Sequence, residues 1–227
     1  MKALVYRGPR DIAFENMPDP GIEEERDAII KVDKCAICGS DLHIYHGETF
    51  SEDTGYCVGH EAVGEVVETG RSVHQLKVGD KVMISAAVGC GQCRYCLAGV
   101  VNKCETNSGS CYGLSAALQG SQAEFVRVPA ADFNAAKIPE GITTEQALMM
   151  TDAMATAWFG VRNADIARGA TVAVVGLGPI GLMAAEGALA VGASRVFGID
   201  LVEERRAMGR SIGLETPDPE SAREYIK

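Results

Sequence analysis

Thr171-Val172-Ala173-Val174-Val175-Gly176-Leu177-Gly178-Pro179-Ile180-Gly181 is the stretch whose reading decides the fold of the second half of this chain. The β-branched run predicts a strand, G-x-G-x-x-G follows at once, and the alanine-rich residues after Leu182 predict a helix. In that context Gly176 makes a tight turn, Gly178 admits a pyrophosphate to the backbone, and Gly181 lets helix and strand pack closely. Pro179 and Ile180 open the helix, whose N–H groups and positive dipole end suit phosphate. A second strand, Arg195 to Ile199, ends at Asp200, about twenty residues further on, where a carboxylate accepts hydrogen bonds from an adenosine ribose. Asp200, with Glu203 and Glu204 nearby, repels a 2′-phosphate and favours NAD over NADP. Arg205 and Arg206 keep the opposite preference open.

Upstream, Cys38-Gly39-Ser40-Asp41-Leu42-His43 and Gly59-His60-Glu61 bring thiolate, imidazole and carboxylate groups into one short span. That is zinc chemistry, and a catalytic zinc keeps three protein ligands and one open position. Asp152 stands in an otherwise apolar setting, where an unpartnered polar group costs on the order of 2 to 7 kcal/mol. Zinc would be one partner; a helix N-cap or first-turn carboxylate is the other reading. Cys90, Cys93, Cys96 and Cys104 are separated by two, two and seven residues, a spacing that closes a tetrahedral structural zinc site. Free buried cysteines and an iron–sulfur cluster are the alternatives, the latter lacking its usual trailing Cys-Pro.

The chain has 227 residues, 47% of them hydrophobic, and a formal net charge of -10. It can bury a core, and with no basic patch it offers nothing to nucleic acid. Met1 to Arg10 is too polar for a secretion signal, and Ala170 to Ala185 is too short and too broken by glycine and proline to span a membrane. The expected compartment is the cytoplasm, where eight cysteines read as metal ligands rather than disulfides. Short strands are expected over Lys2–Tyr6, Ile12–Met17, Ala28–Ile37, Val58–Thr69, Val82–Ala86 and Ala123–Val128, as in a β-barrel or sandwich. Helices are expected from Thr143 to Met150 and from Thr151 to Ala164.

With Cys38, Gly59-His60-Glu61, the cysteine tetrad and Gly176 to Gly181 in this order, the chain resembles the zinc-containing medium-chain alcohol dehydrogenases (medium-chain dehydrogenases/reductases). The resemblance implies an α/β plus β protein: a GroES-like β-rich catalytic domain, residues 1–153, followed by part of a Rossmann domain with a doubly wound parallel sheet, residues 154–227. It implies an oxidoreductase moving a hydride between an alcohol, aldehyde or ketone and a nicotinamide cofactor, with one catalytic and one structural zinc. Cys38, His60 and Asp152 are similar to the catalytic zinc ligands, with Glu61 a fourth or intermittent one. Ser40 and His43 resemble the proton relay, and Asp41 the carboxylate that orients the ligand histidine. Cys90, Cys93, Cys96 and Cys104 resemble the structural ligands. The expected partners are a small-molecule substrate and, in the full-length form, further copies in a dimer or tetramer.

A six-stranded dinucleotide sheet, at roughly 30 residues per βαβ unit, needs about a hundred residues more than this chain supplies. Only two clear strands and a stub near Leu214 to Thr216 are expected, with a last helix starting at Asp218-Pro219-Glu220. The alternative to an enzyme is therefore a truncated, inactive, zinc-stabilised binding or structural protein.

Overall fold

The computed structural model describes residues 1–48, 50–106, 110–220 and 222. The chain divides into two compact units, Met1–Asp152 and Ala153–Lys227. In the first, the strands are β1 (Lys2–Gly8), β2 (Asp11–Asn16), β3 (Ala28–Cys35), β4 (Tyr56–Cys57), β5 (Ala62–Thr69), β6 (Lys81–Ile84), β7 (Phe125–Val128) and β8 (Ala135–Lys137). Its helices are α1 (Gly39–His46), α2 (Arg94–Leu97), α3 (Ala131–Asn134) and α4 (Thr144–Met150). The second unit holds α5 (Ala153–Asn163), β9 (Thr171–Val175), α6 (Pro179–Ala190), β10 (Arg195–Ile199) and α7 (Glu203–Ser211).

The first unit is built on antiparallel pairing. One sheet runs β7-β3-β5-β6-β8 and a smaller one β2-β1-β4. The segment before β7 ties them together, since Leu4 N–H donates to Gln122 O and Val32 N–H to Glu124 O, both at 2.9 Å. Alternation on β3 sends Ala28, Ile30 and Val32 into one core with Val66, Val82, Ile84, Val126 and Val128. The ladder between β3 and β5 ends with Cys35 opposite Ala62, and Ala36 N–H donates to Glu61 O at 3.1 Å. That register carries Cys38, at the start of α1, alongside His60.

The run expected as one strand from Val58 to Thr69 is strand only from Ala62 onward, with the short strand Tyr56–Cys57 before it. Gly59 sits at φ +93°, a left-handed conformation that breaks the extended chain, so Tyr56–Cys57 joins β1 while Ala62–Thr69 joins β3. The helix expected from Thr151 starts instead at Ala153, because the Thr151 hydroxyl donates to Leu148 O at 2.7 Å and closes α4 with a turn. Asp152 is thereby freed from the helix ladder.

In the second unit β9 and β10 pair in parallel, Thr171 opposite Arg195 through Val175 opposite Ile199. Helix α6 covers one face, with Leu177, Ala185, Ala188, Val196 and Leu214 buried. The expected stub near Leu214 is a single parallel bridge between Phe197 and Glu215. The last expected helix runs into residue 221 and residues 223–227, which lie outside the described residues. Among the described residues no helix is long and apolar enough to cross a membrane.

Gly64, in the middle of β5, is glycine because a Cβ there would run into the Lys31 carbonyl oxygen across the ladder. Gly64→Ala is expected to cost more than about 2 kcal/mol in urea unfolding, the scale of overpacking in a closed core. Val67→Thr, on the partly exposed positions of the same strand, should stay within about 0.5 kcal/mol.

Candidate functional site

Three segments far apart in sequence meet in the first unit. Cys38 enters as the N-cap of α1, His60 follows the Gly59 break, and Asp152 leaves the turn that ends α4. Their ligand atoms all lie within 4.8 Å of one another. His60 Nε2 is 3.4 Å from Asp152 Oδ2, and Cys38 Sγ is 3.8 Å from the same oxygen. A tetrahedral zinc with ligands at about 2.0 to 2.3 Å separates them by about 3.3 to 3.8 Å. The donor set and its spacing therefore fit a zinc ion, with one coordination position left over.

The electrostatics point the same way. Burial disfavours the charged imidazole of His60, but the hydrogen bond to Asp152, the Asp41 charge and Cys38 outweigh it and hold the group up at about 9. Groups that favour a positive charge at this ring equally favour a bound cation. On the other side of the ring, His60 Nδ1 faces Asp41 Oδ1 at 3.7 Å. Asp41 Oδ2 accepts Cys38 N–H at 2.8 Å and Gln122 Nε2–H at 3.2 Å. Burial pushes the Asp41 carboxyl above its ordinary value against the pull of the Cys38 N–H, His60 and Gln122.

Ser40 Oγ lies 3.8 Å from Cys38 Sγ. His43, three residues on along α1, is exposed and its Nδ1 is 2.7 Å from Glu48. Glu61 does not join the mutual set of three. Glu61, buried beside His60, stays the candidate for a fourth or intermittent ligand.

Cys90, Cys93, Cys96 and Cys104 form a second group with sulfurs within 4.8 Å of one another. Backbone N–H groups are aimed at them: Cys93 N–H at Cys90 Sγ, 3.4 Å, Cys96 N–H at Cys93 Sγ, 3.5 Å, and Cys90 N–H at Cys104 Sγ, 3.3 Å. The Gln92 and Cys93 N–H groups draw the Cys90 thiol down to about 6. Such donors suit thiolates, and four thiolates suit a zinc ion with no open position. Asn134 holds the loop from within, its amide donating to Gly89 O and accepting Gly89 N–H.

In the second unit the three glycines are separable by geometry. Gly176 needs its φ of +90°. Gly178, the N-cap of α6, has nothing within 4 Å of where a Cβ would stand. Gly181 is glycine because a Cβ would strike the Gly176 carbonyl oxygen. Pro179 and Ile180 form the first turn of α6, with Ile180 exposed. Asp200 accepts Leu177 N–H and Val202 N–H, each at 2.8 Å, and these two bonds hold its carboxyl below the ordinary range. Arg205 lies 3.5 Å from it. The acidic residue thus ties the glycine turn to the end of β10. Gln122 and Glu48 were not among the expected site residues; each acts through a contact that no local motif announces.

Residues 24–140 match the model of the alcohol dehydrogenase GroES-like domain. A "Probable zinc-binding alcohol dehydrogenase" of Mycobacterium tuberculosis is 44% identical over all of this chain and 58% of its own length. A medium chain reductase/dehydrogenase of Acremonium sp is 39% identical over 96% of this chain and 76% of its own. Among solved structures, the alcohol dehydrogenase TADH from Thermus sp. ATN1 superposes with a TM-score of 0.92 at 37% identity, covering 97% of this chain and 64% of that one. The chain thus spans 58% of the length of the mycobacterial relative. With the GroES-like strands, the two cysteine-containing clusters and the glycine turn in one order, the chain belongs to the zinc-containing medium-chain alcohol dehydrogenase family.

Proposed function

We propose that this chain carries the zinc and nucleotide sites of an oxidoreductase that moves a hydride between an alcohol or carbonyl compound and NAD. The observation that supports it most is the meeting of Cys38, His60 and Asp152 from three distant segments into a set with one open position. A purely structural metal has no need of an open position; the cysteine tetrad already serves that purpose. In this reading residues 1–153 are the catalytic domain and residues 154–227 the beginning of the nucleotide-binding one, and the full-length form is a dimer or tetramer.

The bound zinc would act as a Lewis acid toward the substrate oxygen, and the nicotinamide would accept or return the hydride. The chain's own groups do the rest. Cys38, His60 and Asp152 hold the metal. The Asp41 carboxylate, facing Nδ1 at 3.7 Å, favours by its charge the tautomer whose Nε2 lone pair faces the cluster. Ser40, beside Cys38, takes the proton that the substrate hydroxyl gives up. His43, exposed and paired with Glu48, passes it to water. Gly176, Gly178, Pro179, Ile180 and Gly181 present backbone N–H groups to the pyrophosphate, and Asp200 accepts from the adenosine ribose.

A second reading is a zinc-stabilised binding protein that keeps both metal clusters and has no turnover. NADH formation with a panel of alcohols, before and after chelation, separates the two. The enzyme reading expects turnover that the chelator abolishes; the binding reading expects none, with zinc still present.

Three substitutions test the assignments. Cys38→Ser should remove turnover and one metal equivalent, leaving the tetrad metal in place, as read by metal analysis. Cys93→Ser should release the tetrad metal and lower the thermal midpoint, since the lobe from Cys90 to Cys104 has little core of its own. Asp200→Ser should raise the NADP-to-NAD affinity ratio by at least about tenfold, as two competing fluorescence titrations would show.

A further inference from the structure

Gln122 is buried, 7% exposed, beside Asp41 and the Gly59 turn that precedes His60. Its backbone is locked from both sides: its N–H donates to Val58 O at 3.0 Å, and its carbonyl accepts Leu4 N–H at 2.9 Å. Its side-chain stem lies where a Cβ of Gly59 would stand, with Gln122 Cδ 2.9 Å from that position. The residue before His60 is therefore glycine both for its positive φ and to let this stem pass. At the tip, the amide NH2 meets two acceptors, Asp41 Oδ2 at 3.2 Å and Ala36 O at 3.1 Å. Neither neighbour donates, so the orientation of the amide is fixed by chemistry.

We propose that Gln122 is a positioning residue of the metal site, acting through Asp41 on His60; this rests on the reading of Cys38, His60 and Asp152 as ligands. A buried carboxylate held by one hydrogen bond can rotate. Two donors on Oδ2, the Cys38 N–H and the Gln122 amide, fix its plane and turn Oδ1 toward His60 Nδ1. That carboxylate, 3.7 Å from Nδ1 without a hydrogen bond to it, favours the Nδ1–H form by its charge and leaves Nε2 on the cluster side, next to Asp152. The amide's second bond, to Ala36 O, anchors the same network to the residue that pairs with Glu61. Gln122 thus links the position of one ligand-bearing segment to the ring orientation of the other.

Cobalt(II) titration of the zinc-free chain tests this, because visible absorption distinguishes a four-sulfur site from one with a single sulfur. Gln122→Met keeps the stem against Gly59 and removes the donor. It should weaken cobalt at Cys38, His60 and Asp152 by about 10- to 100-fold and leave the cysteine tetrad unchanged. Gln122→Glu, of the same shape, should lose at least as much. Asp41→Asn should show a loss of similar size, and the double variant with Gln122→Met no more than the larger single loss, since both act through one ring. Unchanged affinity in either Gln122 variant, or additive losses in the double variant, would overturn the proposal. Equal weakening at both metal sites would also overturn it, marking Gln122 as a residue of the fold at large. If the unsubstituted chain takes up cobalt at the tetrad alone, the ligand reading beneath the proposal fails, an outcome seen before any substitution is made.

Discussion

The pairing of β3 with β5 is the constraint on which the site depends. Its last rung sets Cys35 opposite Ala62, and the Ala36 N–H bond to Glu61 O extends it by one step. A slip of one residue would flip the buried face of β3 and shift Cys38 by about 3.3 Å relative to His60. The register is held by the buried face of the sheet, where Ile30 of β3 and Val66 of β5 pack with Val82 of β6 and Val126 of β7. Hydrophobic burial at one end of the sheet thus fixes a distance of a few ångströms between polar groups at the other.

Those polar groups are expensive. His60 and Asp41 are 3% and 4% exposed, and an uncompensated charge in such a place would not remain ionised. The chain compensates with two layers of partners: Asp152 and Cys38 on the metal side of the ring, then Asp41 with its two hydrogen-bond donors behind it. Both layers lower the energy of a cation, which is why the arrangement describes a metal site better than a packed core. The tetrad follows the same logic with main-chain donors, because a loop with little apolar surface can stabilise thiolates only with its own N–H groups and a metal.

What the sequence disclosed follows from how local each signal is. The glycine turn, the tetrad and the strand periods depend on residues close in sequence, at most 14 apart in the tetrad, and the structure shows the expected strand, turn and helix from Thr171 to Ala190. The start of this strand at Ala62 rather than Val58 was hidden because Gly59 reads in sequence as a bend permitted within one strand, whereas its φ and the stem of Gln122 make it a break. Gln122 was invisible because it lies 81 residues from Asp41 in the chain, and no spacing rule connects them.

The central claim is that the chain binds two zinc ions in different surroundings, one with four thiolates and one with a single thiolate, an imidazole and a carboxylate. X-ray absorption at the zinc edge of the fully loaded protein measures this most directly. The account predicts two zinc ions per chain sharing five sulfur neighbours at about 2.3 Å, with nitrogen and oxygen scatterers at about 2.0 to 2.1 Å, one set of them from imidazole. One zinc per chain in a shell of four sulfurs and no imidazole signal would contradict it.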